Sequence, residues 1–180
     1  MKATGIVRRI DELGRVVIHK EIRRTLRIKE GDPLEIFTDR DELMLKKYSP
    51  IASLEKMADA AAKSLSDLSG FLTVICDTDE ALAVCGEGKR GIGRHLSREM
   101  DGILKGRRSY LAERASGGDI LPITEDDTAE YRAQLVIPIV SGGDCLGAVV
   151  LLSFEEGKRM ENYTVKLAQL TAEMLGGQFD

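Results

Sequence analysis

The 180-residue chain has room for one large domain or two small ones, and its 43% hydrophobic and 31% charged residues describe a water-exposed globular protein. No apolar run approaches the roughly 18 residues of a membrane helix, and no charged-then-apolar leader opens the chain, so a cytoplasmic location with no membrane partner is expected. The net charge of −4 conceals an asymmetry: residues 1–29 carry 9 Lys and Arg against 3 Asp and Glu, whereas residues 51–180 carry 14 against 21. A basic lobe on an acidic body fits a polyanion partner for the N-terminal lobe alone, and it equally fits a solvated charged face.

The first lobe reads as β-β-α-β-β. "KATGIVRRI" is strand-like, "DELG" is a turn in which Gly14 supplies positive φ, and "RVVI" is a second strand. "KEIRRTL" is a short helix, with Ile22 and Leu26 facing in and Arg23 and Arg24 pointing elsewhere. Gly31-Asp32-Pro33 turns the chain into a strand alternating Leu34, Ile36 and Thr38, and "DRDE" turns it again into "LMLKKY". A lobe of about 48 residues is near the lower limit for independent folding. It has no cysteine and a single histidine, so oligomerisation is the remaining route to stability. The lobe is therefore expected to be an obligate dimer.

Ser49-Pro50 marks the boundary, giving domains at 1–50 and 51–180. From Ile51, apolar residues at 51, 54, 58, 61, 65 and 68 follow a 3-4 spacing, and Met160, Tyr163, Leu167, Leu170 and Met174 repeat the rhythm. Both stretches read either as seams between subunits or as amphipathic helices covering a sheet. Between them, "FLTVICDTDEALAVCG" and "AQLVIPIVSGGDCLGAVVLLSF" are hairpins, "RHLSREMDGILKG" is helical and "ERASGGDILPITEDDTAEYR" is loop-rich. The order describes an α+β domain with an antiparallel sheet.

Few chemical motifs survive their context. Gly86, Gly88 and Gly91 satisfy G-x-G-x-x-G, but "LKGRRSYLAERASGG" supplies no parallel strand after the next helix, so a flexible cationic loop is the better reading than a dinucleotide site. His19 and His95 sit in different lobes, Glu125-Asp126-Asp127 lacks EF-hand spacing, and Cys76, Cys85 and Cys145 lack C-x-x-C spacing. No catalytic residue, metal or cofactor is therefore expected. The basic lobe remains. Arginine forks match phosphate oxygens, and Arg8, Arg9, Arg15, Arg23 and Arg24 would be doubled in a dimer. If about six cations reach phosphates, affinity should fall some hundred- to thousandfold between about 50 and 200 mM salt. With no Asn or Gln in the lobe, recognition should lean on DNA shape.

"KATGIVRRIDELGRVVIHKEIRRTLRIKEGDPLEIFTDRDELMLKKY" resembles the N-terminal domain of the AbrB-type transition-state regulators almost residue for residue over Lys2–Tyr48. The remainder is similar, through the order of its elements and phrases such as "VICDTDEALAV" and "GAVVLLS", to sporulation regulators that carry a GAF-type sensor after that domain. The resemblance implies a swapped-hairpin β-barrel, in which two chains interleave their hairpins to bind double-stranded DNA, and a GAF-like domain whose terminal helices pair subunits into a tetramer. It implies DNA-binding roles for Arg8, Arg15, Arg23 and Arg24; Arg9 is added from charge and position. It also implies an activator and repressor of sporulation genes and a nucleoid-associated location. His19 stands where the family usually keeps proline. A small-molecule effector is implied without being identified. Its pocket would lie between the sheet and the loops around Arg94–Leu104 and Ile120–Asp127, unless the domain serves only to oligomerise. Two other classes stay open: an antitoxin-type autorepressor, and a metabolite-binding enzyme relying on His95.

Overall fold

The computed structural model describes residues 5–89 and 92–179. It falls into two units that divide between Tyr48 and Ser49.

In the first unit, "DELG" closes as a tight turn: Asp11 N–H donates to the Arg15 carbonyl, Gly14 N–H donates to the Asp11 carbonyl, and Gly14 takes φ 75°. Helix α1 spans Lys20–Thr25, capped by His19, and ends on Arg27 at φ 54° with Ile28 N–H donating to the Arg23 carbonyl. Strands β1 (Leu34–Asp39) and β2 (Glu42–Lys47) form an antiparallel hairpin in which Leu34 faces Lys47 and Asp39 faces Glu42.

Two expected strands differ. Among the described residues neither 5–10 nor 15–18 joins a sheet, although His19 at their end is extended; Lys2–Thr4 lie outside the described residues. A strand exists only where another edge satisfies its backbone donors and acceptors, and among the described residues these segments pair with neither edge of the β1–β2 hairpin. The helix differs too. Ile22 is half-buried, but Leu26 is exposed rather than facing in, and Ile36 on β1 is 62% exposed. The apolar pattern is written for a surface that one chain does not supply.

The second unit is built on five antiparallel strands: β3 (Leu72–Cys76), β4 (Ala81–Cys85), β5 (Tyr110–Glu113), β6 (Ala133–Ser141) and β7 (Asp144–Ser153), in the order β4-β3-β7-β6-β5. Both hairpins form where the sequence places them, the second turning on Gly142 and Gly143 at positive φ. Strand β5 was not expected. Its four residues follow "RRS" and carry little alternation, yet they pair antiparallel with β6. The strand after the G-x-G-x-x-G stretch is thus antiparallel, which still denies that stretch a βαβ unit. Gly86 instead packs where a Cβ would press on Ser66 and Leu72, Gly88 lies against the Phe154 ring, and Gly91 lies outside the described residues.

Period-two alternation gives the central strands two buried faces. Ile75, Leu135, Ile137, Ile139, Val149 and Leu151 meet Ala58, Ala62, Leu65, Ala168, Ala172 and Leu175 from two long helices, α3 (Glu55–Ser69) and α5 (Asn162–Gly176). A short helix, α2 (Pro50–Ser53), precedes α3 and puts Ile51 into the same core. Of the two readings of the 3-4 rhythm from Ile51 to Leu68, the inner residues follow the sheet-covering one, and the helix is interrupted at Leu54. Helix α5 divides differently: Thr164, Ala168 and Ala172 face the sheet, while Tyr163, Leu170 and Met174 remain more than half exposed.

On the opposite face Leu72, Val74, Val136, Val150 and Leu152 meet Met100 and Leu104 of α4 (Arg98–Gly106) together with Leu96, Ile123 and Tyr131. Gly147 on β7 sets the closeness of β7 to β3, because a Cβ there would collide with the Cys76 carbonyl oxygen. Gly147→Ala must displace backbone rather than a flexible side chain. We expect it to cost at least about 2 kcal/mol, read as a lowered midpoint in urea unfolding.

Candidate nucleic-acid interface

The cationic residues singled out in the sequence fall on the turn and helix of the first unit. Arg8, Arg9, Arg15 and Arg24 are exposed, and Arg23 is half-buried. Arg15 is the most constrained. Its Nε lies 2.8 Å from Asp11 Oδ2, while Asp11 Oδ1 accepts the backbone N–H groups of Leu13 at 3.0 Å and Arg15 at 2.8 Å. One carboxylate thus holds the turn and aims the guanidinium that follows it. This clamp is a feature sequence reading missed, although an Asp four residues before an Arg across a glycine turn is its visible signal.

Arg23 and Arg24 occupy the last turn of α1, where the helix C-terminus favours cations. Arg23 Nε is buried without a hydrogen-bond partner among the described residues. Arg9 and Arg24 make no side-chain bond or ion pair among those residues, and Arg8 reaches only the neighbouring Val7 carbonyl at 3.2 Å. His19 is the N-cap of α1, its Nδ1 accepting the Glu21 N–H at 3.4 Å. A proline at this position would lack that cap.

The turn has a pH signature. The backbone N–H of Arg15, then its guanidinium, hold the Asp11 carboxyl below its ordinary value. A depressed carboxylate pKa contributes order that is fully present above the ordinary carboxylate range and is lost as pH falls through the lowered value. Amide hydrogen exchange at Leu13 and Arg15 should therefore stay protected at neutral pH and rise in acid below about pH 4 relative to the intrinsic rate. In Asp11→Asn that protection should be weaker at neutral pH and lose its pH dependence, so that the two proteins converge in acid.

In the second unit the segments expected to line an effector pocket, Arg94–Leu104 and Ile120–Asp127, contribute several side chains to the core. Leu96, Met100, Leu104 and Ile123 are buried against the sheet, and Ser97 caps α4 while its hydroxyl donates to the Pro122 carbonyl at 2.6 Å. Asp127 is structural: its carboxylate accepts N–H groups from Ile123 and Ala129, each at 3.0 Å, and the Tyr131 hydroxyl at 3.2 Å. Burial, and then the Asp127 charge, push the Tyr131 phenol up. His95 lies 3.4 Å from Glu80, which also takes Arg94 Nε at 2.8 Å. The cysteines are unpaired, and burial pushes the Cys76 thiol up to about 12, far from a reactive thiolate. A cavity of about 160 Å³ opens elsewhere, between the end of β5, the start of β6 and the loop before α5.

The whole chain has known counterparts. Residues 53–180 match the family model of the stage V sporulation protein T C-terminal transcription factor, and residues 7–53 match that of the antidote-toxin recognition MazE bacterial antitoxin. Stage V sporulation protein T of Bacillus subtilis (strain 168) is 45% identical over 182 residues, covering 100% of this chain and 99% of that protein. The transition state regulatory protein AbrB of the same organism is 47% identical over 74 residues, covering 41% of this chain and 77% of that one. Among solved structures, the cofactor-binding GAF domain of the nutrient sensor CodY from Clostridium difficile overlays with a TM-score of 0.52 at 17% identity, covering 68% of this chain and 83% of that chain. That overlay shows a GAF-type fold for the second unit.

Proposed function

The chain belongs to the stage V sporulation protein T family of transcription factors, and we propose that it regulates sporulation genes by holding double-stranded DNA on two interleaved copies of its first unit. It is a transcription regulator and not an enzyme, with an AbrB-type DNA-binding domain ahead of a GAF-type one. The dimer is a swapped-hairpin barrel in which segments 5–10 and 15–18 find their partner edges on the second copy. Arg8, Arg9, Arg15, Arg23 and Arg24 then line one cationic surface. The functional division follows the expected domains, 1–50 for DNA and 51–180 for assembly and sensing. The protein acts in the cytoplasm on the nucleoid.

One observation carries this reading. Exposed arginines fall within or beside segments 5–10 and 15–18, whose apolar side chains stand in solvent, with Val7 84%, Ile10 69% and Val17 73% exposed. Side chains of this kind gain about 1.5–3 kcal/mol each on full burial, and a second copy supplies the cover.

The dimers join into a tetramer through the outer face of α5, where Tyr163, Leu170 and Met174 are exposed at helical spacing. In Leu170→Glu/Met174→Glu the mass by light scattering should halve while each remaining dimer still shifts a DNA duplex. An unchanged mass would place the tetramer contact elsewhere. A small-molecule effector acting on the GAF-type domain remains part of the reading, with its chemistry taken up below. The match of residues 7–53 to an antitoxin model favours a second reading, an antitoxin-type autorepressor. Co-purification of a small ribonuclease with the full chain would support that alternative.

A further inference from the structure

Residues 51–180 carry an excess of acidic side chains, 21 Asp and Glu against 14 Lys and Arg. Against that background the cavity of about 160 Å³ is anomalous: Arg114, Arg132, Lys158 and Arg159 line it, with Glu113 and Glu156 as its carboxylates. Two of these six are committed to the frame. Glu113 Oε1 accepts the Met160 N–H at 2.9 Å, and Lys158 Nζ donates to the Gly70 carbonyl at 2.8 Å and to Glu155 at 2.7 Å. Arg114 spends its Nε on the Tyr131 carbonyl at 2.8 Å, which fixes the plane of its guanidinium. The side chains of Arg132, half-buried, and Arg159 have no hydrogen bond or ion pair among the described residues.

Three arginines, Arg114 and Arg159 exposed and Arg132 half-buried, thus line one small cavity together with Lys158, against the two carboxylates of Glu113 and Glu156. Like charges are not gathered without cost, and an anion removes that cost. A tetrahedral phosphate dianion can offer separate oxygens to several guanidinium forks, whereas one fork satisfies a carboxylate. We propose that this cleft binds a small phosphate-bearing anion through Arg114, Arg132 and Arg159.

The position couples the site to the assembly helices. Lys158 ties the cavity loop to Gly70 at the end of α3, and Glu113 holds Met160, two residues before α5 begins. An anion drawing Arg132, just before β6, toward Arg159 on the loop would fix the start of α5. The site is distinct from the closed apolar space beneath α4 and does not depend on the DNA-binding reading.

The test is calorimetric titration of the full chain with inorganic phosphate, at ionic strength held constant with chloride. Saturable binding at one phosphate per chain is expected, weakened at least about tenfold in Arg132→Gln/Arg159→Gln and unchanged in Arg15→Ala/Arg23→Ala. Unfolding midpoint and DNA affinity of the first double variant should match wild type, which separates this site from the DNA surface. Absent saturation, or equal binding by the cavity variant, would overturn the proposal. So would malonate binding as tightly as phosphate, or displacement of the phosphate by duplex DNA.

Discussion

Val17→Asp/Ile36→Asp should halve the mass of the assembly and lower DNA affinity by at least a hundredfold. Both side chains are mostly exposed in one chain, 73% and 62%, so neither substitution removes packing within the copy. In the proposed dimer the same positions are covered. An unpaired polar group withdrawn from water costs about 2–7 kcal/mol, and a carboxylate more. About 2.7 kcal/mol already corresponds to a hundredfold, so two carboxylates in a shared core leave the dimer unformed. The second unit should keep its unfolding transition, because its core is separate from these residues. A full-mass assembly in this variant, seen by light scattering, would mean that the first unit does not need a second copy.

Arg8→Ala, Arg15→Ala and Arg23→Ala should each weaken binding about ten- to hundredfold on every duplex tested. A dimer loses two copies of each arginine, and at the net roughly 0.5–1.5 kcal/mol that one solvent-exposed hydrogen bond contributes, the pair accounts for about 1–3 kcal/mol. The loss should be uniform across sequences, since contacts to phosphate position a protein without reading bases. Arg15 carries an additional signature. Asp11 already occupies one edge of its guanidinium, so phosphate must compete with that carboxylate or use the remaining donors. In a gel shift, Arg15→Lys should recover only part of the affinity, because an ammonium lacks the fork that Asp11 orients.

How much of this was legible follows from where each pattern finds its partner. Leu72, Val74 and Cys76 alternate with Thr73 and Ile75, and β7 does the same, so the central hairpins could be read directly. Strand β5 could not: four residues after two arginines carry no period, and only the edge of β6 makes them a strand. Segments "GIVRRI" and "RVVI" read as strands because their composition suits a ladder, but among the described residues they find no edge to pair with; in the proposed dimer the second copy supplies it. The 3-4 rhythm of α3 and α5 was visible while its use was not. Ala58 and Leu65 turn to the sheet, yet Leu170 and Met174 turn away from it.

The cationic lobe was legible from charge counts alone, because its arginines are close in sequence. The clamp of Asp11 on Arg15 and the cap of His19 on α1 depend on turn geometry that spacing only hints at. The cavity of Arg114, Arg132 and Arg159 had no sequence signal, since three parts of the chain contribute to it. Within the segments expected to line an effector pocket, Met100 and Ile123 are apolar and buried in the core between α4 and the sheet.

The most direct test of the central claim is the salt dependence of duplex binding by the full chain and by Arg8→Ala/Arg15→Ala/Arg23→Ala. Fluorescence anisotropy between about 50 and 200 mM salt should give wild type a slope of log affinity against log salt near −5, the value for about six phosphate contacts. The triple variant should flatten that slope to about −2 or less while keeping its mass and unfolding midpoint. An equal slope in the two proteins would contradict the account, since the phosphates would then be held by other residues.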